Sequence, residues 1–255
     1  SKWFQIRDVA LIFIMLFSFS LVGLYLLRGG DYDKMPREIE QDNSYCEDTK
    51  GIFDINKVEM LSSEPRVFIH YDFLTEEECD AIIDMGLPNL QESMVASSKG
   101  SIRDSARTSY GAFLNEHPIL SKIEERIAMW TQLPVNHGEN FYFLRYEESQ
   151  EYKPHYDFFD PAKAGMQQFI GDSGNRLATV LLYLGTPEEG GGTVFPRADI
   201  TVPAVRGSAV LFYSMTPDNA IDRESLHGGL PVEKGIKYCA TKWIRENSFA
   251  RPKVI

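Results

Sequence analysis

The sequence predicts a mainly β fold with flanking helices, a β-sandwich or jelly roll, preceded by one transmembrane helix. Three observations predict it. Short β-prone runs separated by turns fill the chain from Asn140 onward, helical spacing of apolar residues is confined to two segments before them, and the N-terminus carries a long charge-free run.

Val9 to Leu27 reads VALIFIMLFSFSLVGLYLL, nineteen residues without a charge, which at the rise of an α-helix spans about the hydrocarbon core of a bilayer. Lys2, Arg7 and Asp8 precede it and Arg28 follows, so residues 1–8 form a short tail with a weak bias toward the cytosol. A cleaved signal peptide is the rival assignment, but the run exceeds a usual h-region and no small-x-small cleavage site follows it closely. Residues 28–57 are polar, charged and without apolar period, as expected of a stem holding a domain off the membrane.

The soluble domain is expected over residues 58–255. Val67, Phe68 and Ile69 form its first strand, and Thr75 to Glu78 form a capping box before Cys79, Ile82, Ile83 and Gly86 at helical spacing. A second helix is expected from Pro118, with Ile119, Ile123, Ile127 and Trp130 along one side. Between the helices, Glu92 to Thr108 is rich in Ser, Gly and charge and is expected to be a mobile loop. The strands follow as FYFLRY (141–146), LATVLLYL (177–184), GTVF (192–195), SAVLFY (208–213) and KYCATKWI (237–244).

At 255 residues the chain supports one well-cored domain once the N-terminal segments are set aside. A net charge of -11 and the lack of a Lys/Arg stripe argue against nucleic acid and favour a neutral or basic substrate. Cys46, Cys79 and Cys239 are too few and too dispersed for a disulfide scaffold or a CxxC zinc site. Cys79 and Cys239 are expected as buried thiols, and Cys46 in the stem is placed to bridge two chains in an oxidising lumen. A bound metal must therefore use histidine and carboxylate.

The densest chemical signal is Tyr152-Lys-Pro-His155-Tyr-Asp157. Residues two apart on an extended segment point the same way, so His155 and Asp157 can offer a nitrogen and an oxygen to one ion. Alone, such a pair also suits a solvated turn. A third ligand must come from elsewhere in the chain, and His227, in Ser225-Leu-His227-Gly-Gly229, has glycines that let backbone and ligands approach closely. Two histidines and one carboxylate make the facial triad of non-haem Fe(II) oxygenases, with positions open for cosubstrate and dioxygen. His70, His117 and His137 lack such a setting and are expected on the surface or as caps. Ten residues past His227, Lys237 opens an apolar strand. A lysine there either snorkels at the strand end or meets an anion, and beside a triad iron the anion is an oxoacid carboxylate.

Across residues 60–247 the chain resembles the catalytic domain of prolyl 4-hydroxylases, particularly the membrane-bound plant and algal type. EPRVFIHYDFL, HGENFYFLRYEESQEYKPHYDFF, RLATVLLYL, EEGGGTVFP, AVLFYSMTPD, SLHGGLPVEKGIKY and ATKWI carry the likeness. The resemblance implies a double-stranded β-helix core, Fe(II), 2-oxoglutarate, O2 and ascorbate, with a proline-rich peptide as substrate. It assigns the metal to His155, Asp157 and His227 and the far carboxylate of 2-oxoglutarate to Lys237. Tyr146, Thr193 and Trp243 line the oxoacid pocket by the same likeness, and Glu139, Tyr152 and Arg176 face the peptide. Read alone, Tyr146, Thr193 and Trp243 are ordinary core residues, Arg176 could pair with Asp172, and Glu139 could cap a turn. A single-pass type II topology follows, with the catalytic domain in the lumen of the endoplasmic reticulum or Golgi. Two departures accompany the likeness: the loop RADITVPAVRG is short and lacks a cysteine, and Leu230 stands where many members have cysteine.

Overall fold

Residues 53–97 and 100–254 are described by a computed structural model. The charge-free run Val9 to Leu27, Cys46 and the stem up to residue 52 lie outside the described residues. Among the described residues no helix is long and apolar enough to cross a membrane.

Asp54 caps a single 3-10 turn, Ile55–Lys57, and the chain then pairs β1 (Val58–Ser63) with β2 (Arg66–His70). β1 carries no periodic signal because it is a sheet edge whose residues are all half-buried or exposed. Thr75 opens α1 (Glu76–Gly86): its hydroxyl accepts from Glu78 N at 3.2 Å, while the Glu78 carboxylate accepts from Thr75 N at 3.0 Å. This is the predicted capping box, and three glutamates in the first turn also suit the helix dipole.

β3 (Gln91–Glu92), β4 (Val95–Ser97), β5 (Gly100–Ile102) and β6 (Tyr110–Phe113) follow. The expected loop between Glu92 and Thr108 thus contains a two-stranded hairpin, β4 with β5. Its side chains are exposed or half-buried, so no apolar alternation marked it. α2 (Pro118–Thr131) starts at Pro118 as predicted, with His117 as its N-cap accepting from Ile119 N. It ends where Gln132 turns left-handed, at φ 57°.

The remaining strands are β7 (Tyr142–Tyr146), β8 (Tyr152–His155), β9 (Arg176–Gly185), β10 (Glu189–Gly190), β11 (Thr193–Phe195), β12 (Ile200–Val202), β13 (Ala209–Tyr213), β14 (His227–Gly229), β15 (Val232–Lys234) and β16 (Lys237–Arg245). Between β8 and β9 lies the one-turn α3 (Gln167–Ile170). Eight strands form the large sheet in the order β1-β2-β13-β9-β16-β7-β6-β3, and four form a smaller sheet, β12-β11-β14-β8. All their pairings are antiparallel.

Two apolar cores flank the large sheet. On β9, Ala178, Val180, Leu182 and Leu184 pack with Ile82, Ile123 and Ile127 of the helices. The intervening Tyr183 packs on the other face with Phe195 and Val202 of the smaller sheet. A strand covered on both faces has almost no polar side to show, which is why LATVLLYL is apolar apart from Thr179 and the Tyr183 hydroxyl.

His70 departs from its expected surface or capping place. Only 1% exposed, it sits within 6 Å of the Phe53, Phe73 and Trp130 rings, and burial pushes its pKa down. It ends β2 on the inward side, so the strand buries it. Phe53, within the expected stem, joins the same aromatic group. Cys79 and Cys239 are free and buried.

Candidate active site

β8 ends at His155, β14 begins at His227, and the sheet register places the two residues directly opposite each other. Their rings lie 4.4 Å apart, and Asp157 stands on the bend that follows β8. His155 Nε2 is 3.6 Å from Asp157 Oδ1, and His227 Nε2 is 3.7 Å from Asp157 Oδ2. These separations exceed a hydrogen bond and leave the ligand atoms, all within 4.8 Å of one another, converging on one point.

Backbone carbonyls orient both imidazoles. His155 Nδ1 donates to Lys153 O at 2.9 Å and His227 Nδ1 to Ser225 O at 3.0 Å, so each Nε2 keeps its lone pair for the site. Burial, reinforced by His155, pushes His227 down to about 4 and keeps it neutral at physiological pH. Asp157 is buried, which alone would raise its pKa, but His227, His155 and Arg176 hold it below the ordinary carboxylate range. Thr179 donates a 2.7 Å hydrogen bond to Asp157 Oδ2. The donor set of two imidazole nitrogens and a carboxylate suits Fe(II).

Gly228 makes the register possible. A Cβ there would lie 2.9 Å from Tyr152 O and 3.0 Å from Pro154 N, so any side chain would push β14 off β8.

Lys237 opens β16 opposite Tyr146 and is 3% exposed. Its ammonium has no carboxylate partner among the described residues and lies 5.3 and 5.5 Å from the centroids of the Tyr146 and Tyr183 rings. Burial pushes its pKa down. A buried cation without an anion, lining the same cavity as the triad, fits a carboxylate ligand. Thr193 lines that cavity and accepts from Tyr183 Oη at 2.7 Å.

The cavity, about 1120 Å³, is lined by every residue the sequence singled out for the site. Glu139 and Arg176 form a bidentate pair at 2.8 and 3.0 Å rather than the alternatives, a turn cap and a partner for Asp172. Arg245 adds a 2.6 Å bond to Glu139, and the Arg176 guanidinium lies 3.7 Å over the Trp243 ring. Tyr152 stacks on His155.

Arg107 was not expected here. It is buried in the cavity wall without a carboxylate partner, its guanidinium 4.7 Å from the Tyr152 ring and 5.1 Å from the Tyr142 ring. It arrives through a bridge to Tyr152, a long-range pairing that its polar neighbours in the sequence do not announce. Thr179 was equally hidden, since a threonine in a strand needs no special role.

The family model of the 2OG-Fe(II) oxygenase superfamily matches residues 141–245. Probable prolyl 4-hydroxylase 10 of Arabidopsis thaliana is 41% identical over 216 residues, covering 75% of this chain and 73% of its own. The chain belongs to the prolyl 4-hydroxylase family. Probable prolyl 4-hydroxylase 8 of the same plant is 37% identical and covers 86% of this chain and 81% of its own. Among solved structures, a viral collagen prolyl hydroxylase from Paramecium bursaria Chlorella virus-1, in complex with 2OG, superimposes with a TM-score of 0.54 at 26% identity, covering 70% of this chain and 95% of its own. The two-sheet core of this prolyl 4-hydroxylase is the jelly roll of its superfamily.

Proposed function

We propose that this prolyl 4-hydroxylase hydroxylates proline at C4 within an extended, proline-rich peptide, using Fe(II), 2-oxoglutarate and O2. One observation carries the residue assignment: two Nε2 lone pairs, an ionised carboxylate and an unpaired buried ammonium share a single cavity. His155, Asp157 and His227 hold the metal. Iron bound there supplies the activation of dioxygen that turns 2-oxoglutarate into succinate and CO2 and hydroxylates a C–H bond. Lys237 meets the far carboxylate of 2-oxoglutarate, with Tyr146, Thr193 and Trp243 forming the pocket walls. The peptide side is made by Glu139, Tyr152 and Arg176, to which Arg107, held by a 3.3 Å bond to Met94 O, adds a guanidinium in the cavity wall. Glu139 offsets part of the charge of Arg176 and Arg245, and the Tyr152 and Trp243 rings offer stacking surfaces for a polyproline-like chain.

Ascorbate, as the reductant that keeps the metal ferrous, belongs to the same reading. So does a type II anchor at residues 9–27 with the enzyme in the lumen of the endoplasmic reticulum or Golgi. The charge-free run and its flanking charges support the anchor.

Mass spectrometry of a panel of proline-rich peptides incubated with enzyme, Fe(II), 2-oxoglutarate and ascorbate tests the substrate. A gain of one oxygen at proline C4, greater on proline-rich than on scrambled peptides, is expected. Unmodified proline together with succinate release on a lysyl peptide would keep the reaction class and overturn the substrate.

A further inference from the structure

Successive residues of β16 point to opposite sides of the large sheet. Trp243 lines the cavity, whereas its neighbour Lys242 points away from it and is 2% exposed. There the Lys242 ammonium pairs with Glu124 of α2 at 2.5 Å and lies 4.5 Å from the Phe141 ring. It also donates to the backbone carbonyl of Glu139. Glu139 N in turn donates to Trp243 O at 2.8 Å. Both backbone polar groups of Glu139 are thus tied to the Lys242–Trp243 step of one strand.

Glycine opens the route for this lysine. A Cβ on Gly138 would lie 2.4 Å from Lys242 Cε. From the C-terminal tail, Arg251 completes the arrangement: it pairs with Glu124 at 2.8 Å and donates to Gly138 O at 2.8 Å and Val135 O at 3.0 Å. Two cations that share one buried carboxylate therefore pin the turn of residues 135–139. On the other side of that turn the Glu139 carboxylate holds Arg176 at the cavity.

We propose that Lys242, held by Glu124 and Arg251, is a positioning residue for peptide binding, fixing Glu139 and through it Arg176 at the peptide groove. The inference rests on the reading above that Glu139 and Arg176 face the peptide. Without Lys242 the Glu139 carbonyl loses its partner, and a shift of the order of 1 Å in a positioning group is enough to cost a large factor in function. Burial pushes the Lys242 ammonium down to about 8, Arg251 adding to the shift while Glu124 and Glu139 oppose it. These three are the charged groups that face it. The pin therefore weakens as pH rises past about 8.

Steady-state kinetics of the full chain and of K242M, E124Q and R176M, with thermal melts alongside, test this. K242M is expected to raise the KM for a proline-rich peptide about tenfold while the KM for 2-oxoglutarate stays within about twofold. The wild-type peptide KM should climb between about pH 7 and pH 9, and that of K242M should not. E124Q, which keeps the side-chain shape, should shift the peptide KM in the same direction by less. A folded K242M with unchanged peptide KM, or with both KM values raised equally, overturns the proposal. If K242M does not fold, an unchanged peptide KM in E124Q overturns it. R176M separates the two ideas: an unchanged peptide KM there means that the peptide face itself is misassigned, whereas an effect in R176M but none in K242M removes only the positioning role.

Discussion

In the proposed site, Thr179 acts on Asp157 through a hydrogen bond and Lys237 offers a buried charge. The Thr179 hydroxyl is bonded to a buried, ionised carboxylate oxygen, a class of bond whose loss costs about 1.5–3 kcal/mol. Thr179→Val keeps the shape and removes only that bond. Metal affinity, measured by titration with Co(II) in the absence of cosubstrate, is expected to fall by about 10- to 100-fold. Near-wild-type affinity would mean that Asp157 is aimed by its backbone alone. On the proposed assignment, Lys237→Ala would leave the far carboxylate of 2-oxoglutarate buried without its cation, a penalty of about 3–5 kcal/mol for a broken buried pair. The KM for 2-oxoglutarate should rise by about a hundredfold or more. If only the peptide KM moved, Lys237 would belong to the peptide groove.

At the scale of elements, the site depends on the β8–β14 pairing more than on any helix. His155 and His227 are opposed by strand register, and the register depends on backbone contact at Gly228. Gly228→Ala forces the strands apart by a few tenths of an ångström at a point beside one metal ligand. Because the smaller sheet contributes few core side chains, the melting temperature should drop by only about 2–4 °C, the cost of about 1 kcal/mol in a domain of this size. Co(II) binding should be lost far beyond that. Equal losses in both would show that the pairing serves the fold as a whole. α1 is anchored separately by its capping box, and Thr75→Ala is expected to cost about 1 kcal/mol in chemical denaturation without changing either KM.

For the whole molecule, the site imposes a pH dependence on the metal-free protein. His227 is held at about 4 against an ordinary 6.5, so between those values the unfolded chain binds a proton that the folded chain refuses. Stability must then fall as pH drops through this window, by up to about 3 kcal/mol. Urea midpoints recorded in chelator from about pH 7 to pH 4 should show the slope, and His227→Gln should flatten it. An unchanged slope in that variant would place the acid sensitivity elsewhere.

The sequence by itself determined the longer strand runs, both helix starts and the candidate ligands His155, Asp157, His227 and Lys237. Each of these leaves a local mark: apolar continuity in β9, Thr75 with Glu78, Pro118, the His-x-Asp spacing, glycines after His227 and a lysine opening an apolar strand. Only the tertiary structure decided the rest, because it depends on pairings between residues far apart in the chain. Register set His155 against His227, a bridge to Tyr152 carried Arg107 into the cavity wall, and Glu139 took Arg176 and Arg245 as partners instead of capping a turn. The β4–β5 hairpin and edge strand β1 escaped notice because exposed strands bury too little apolar surface to impose alternation. His70 was hidden for the converse reason: a lone polar residue at a strand end carries no sign of the aromatic rings that enclose it.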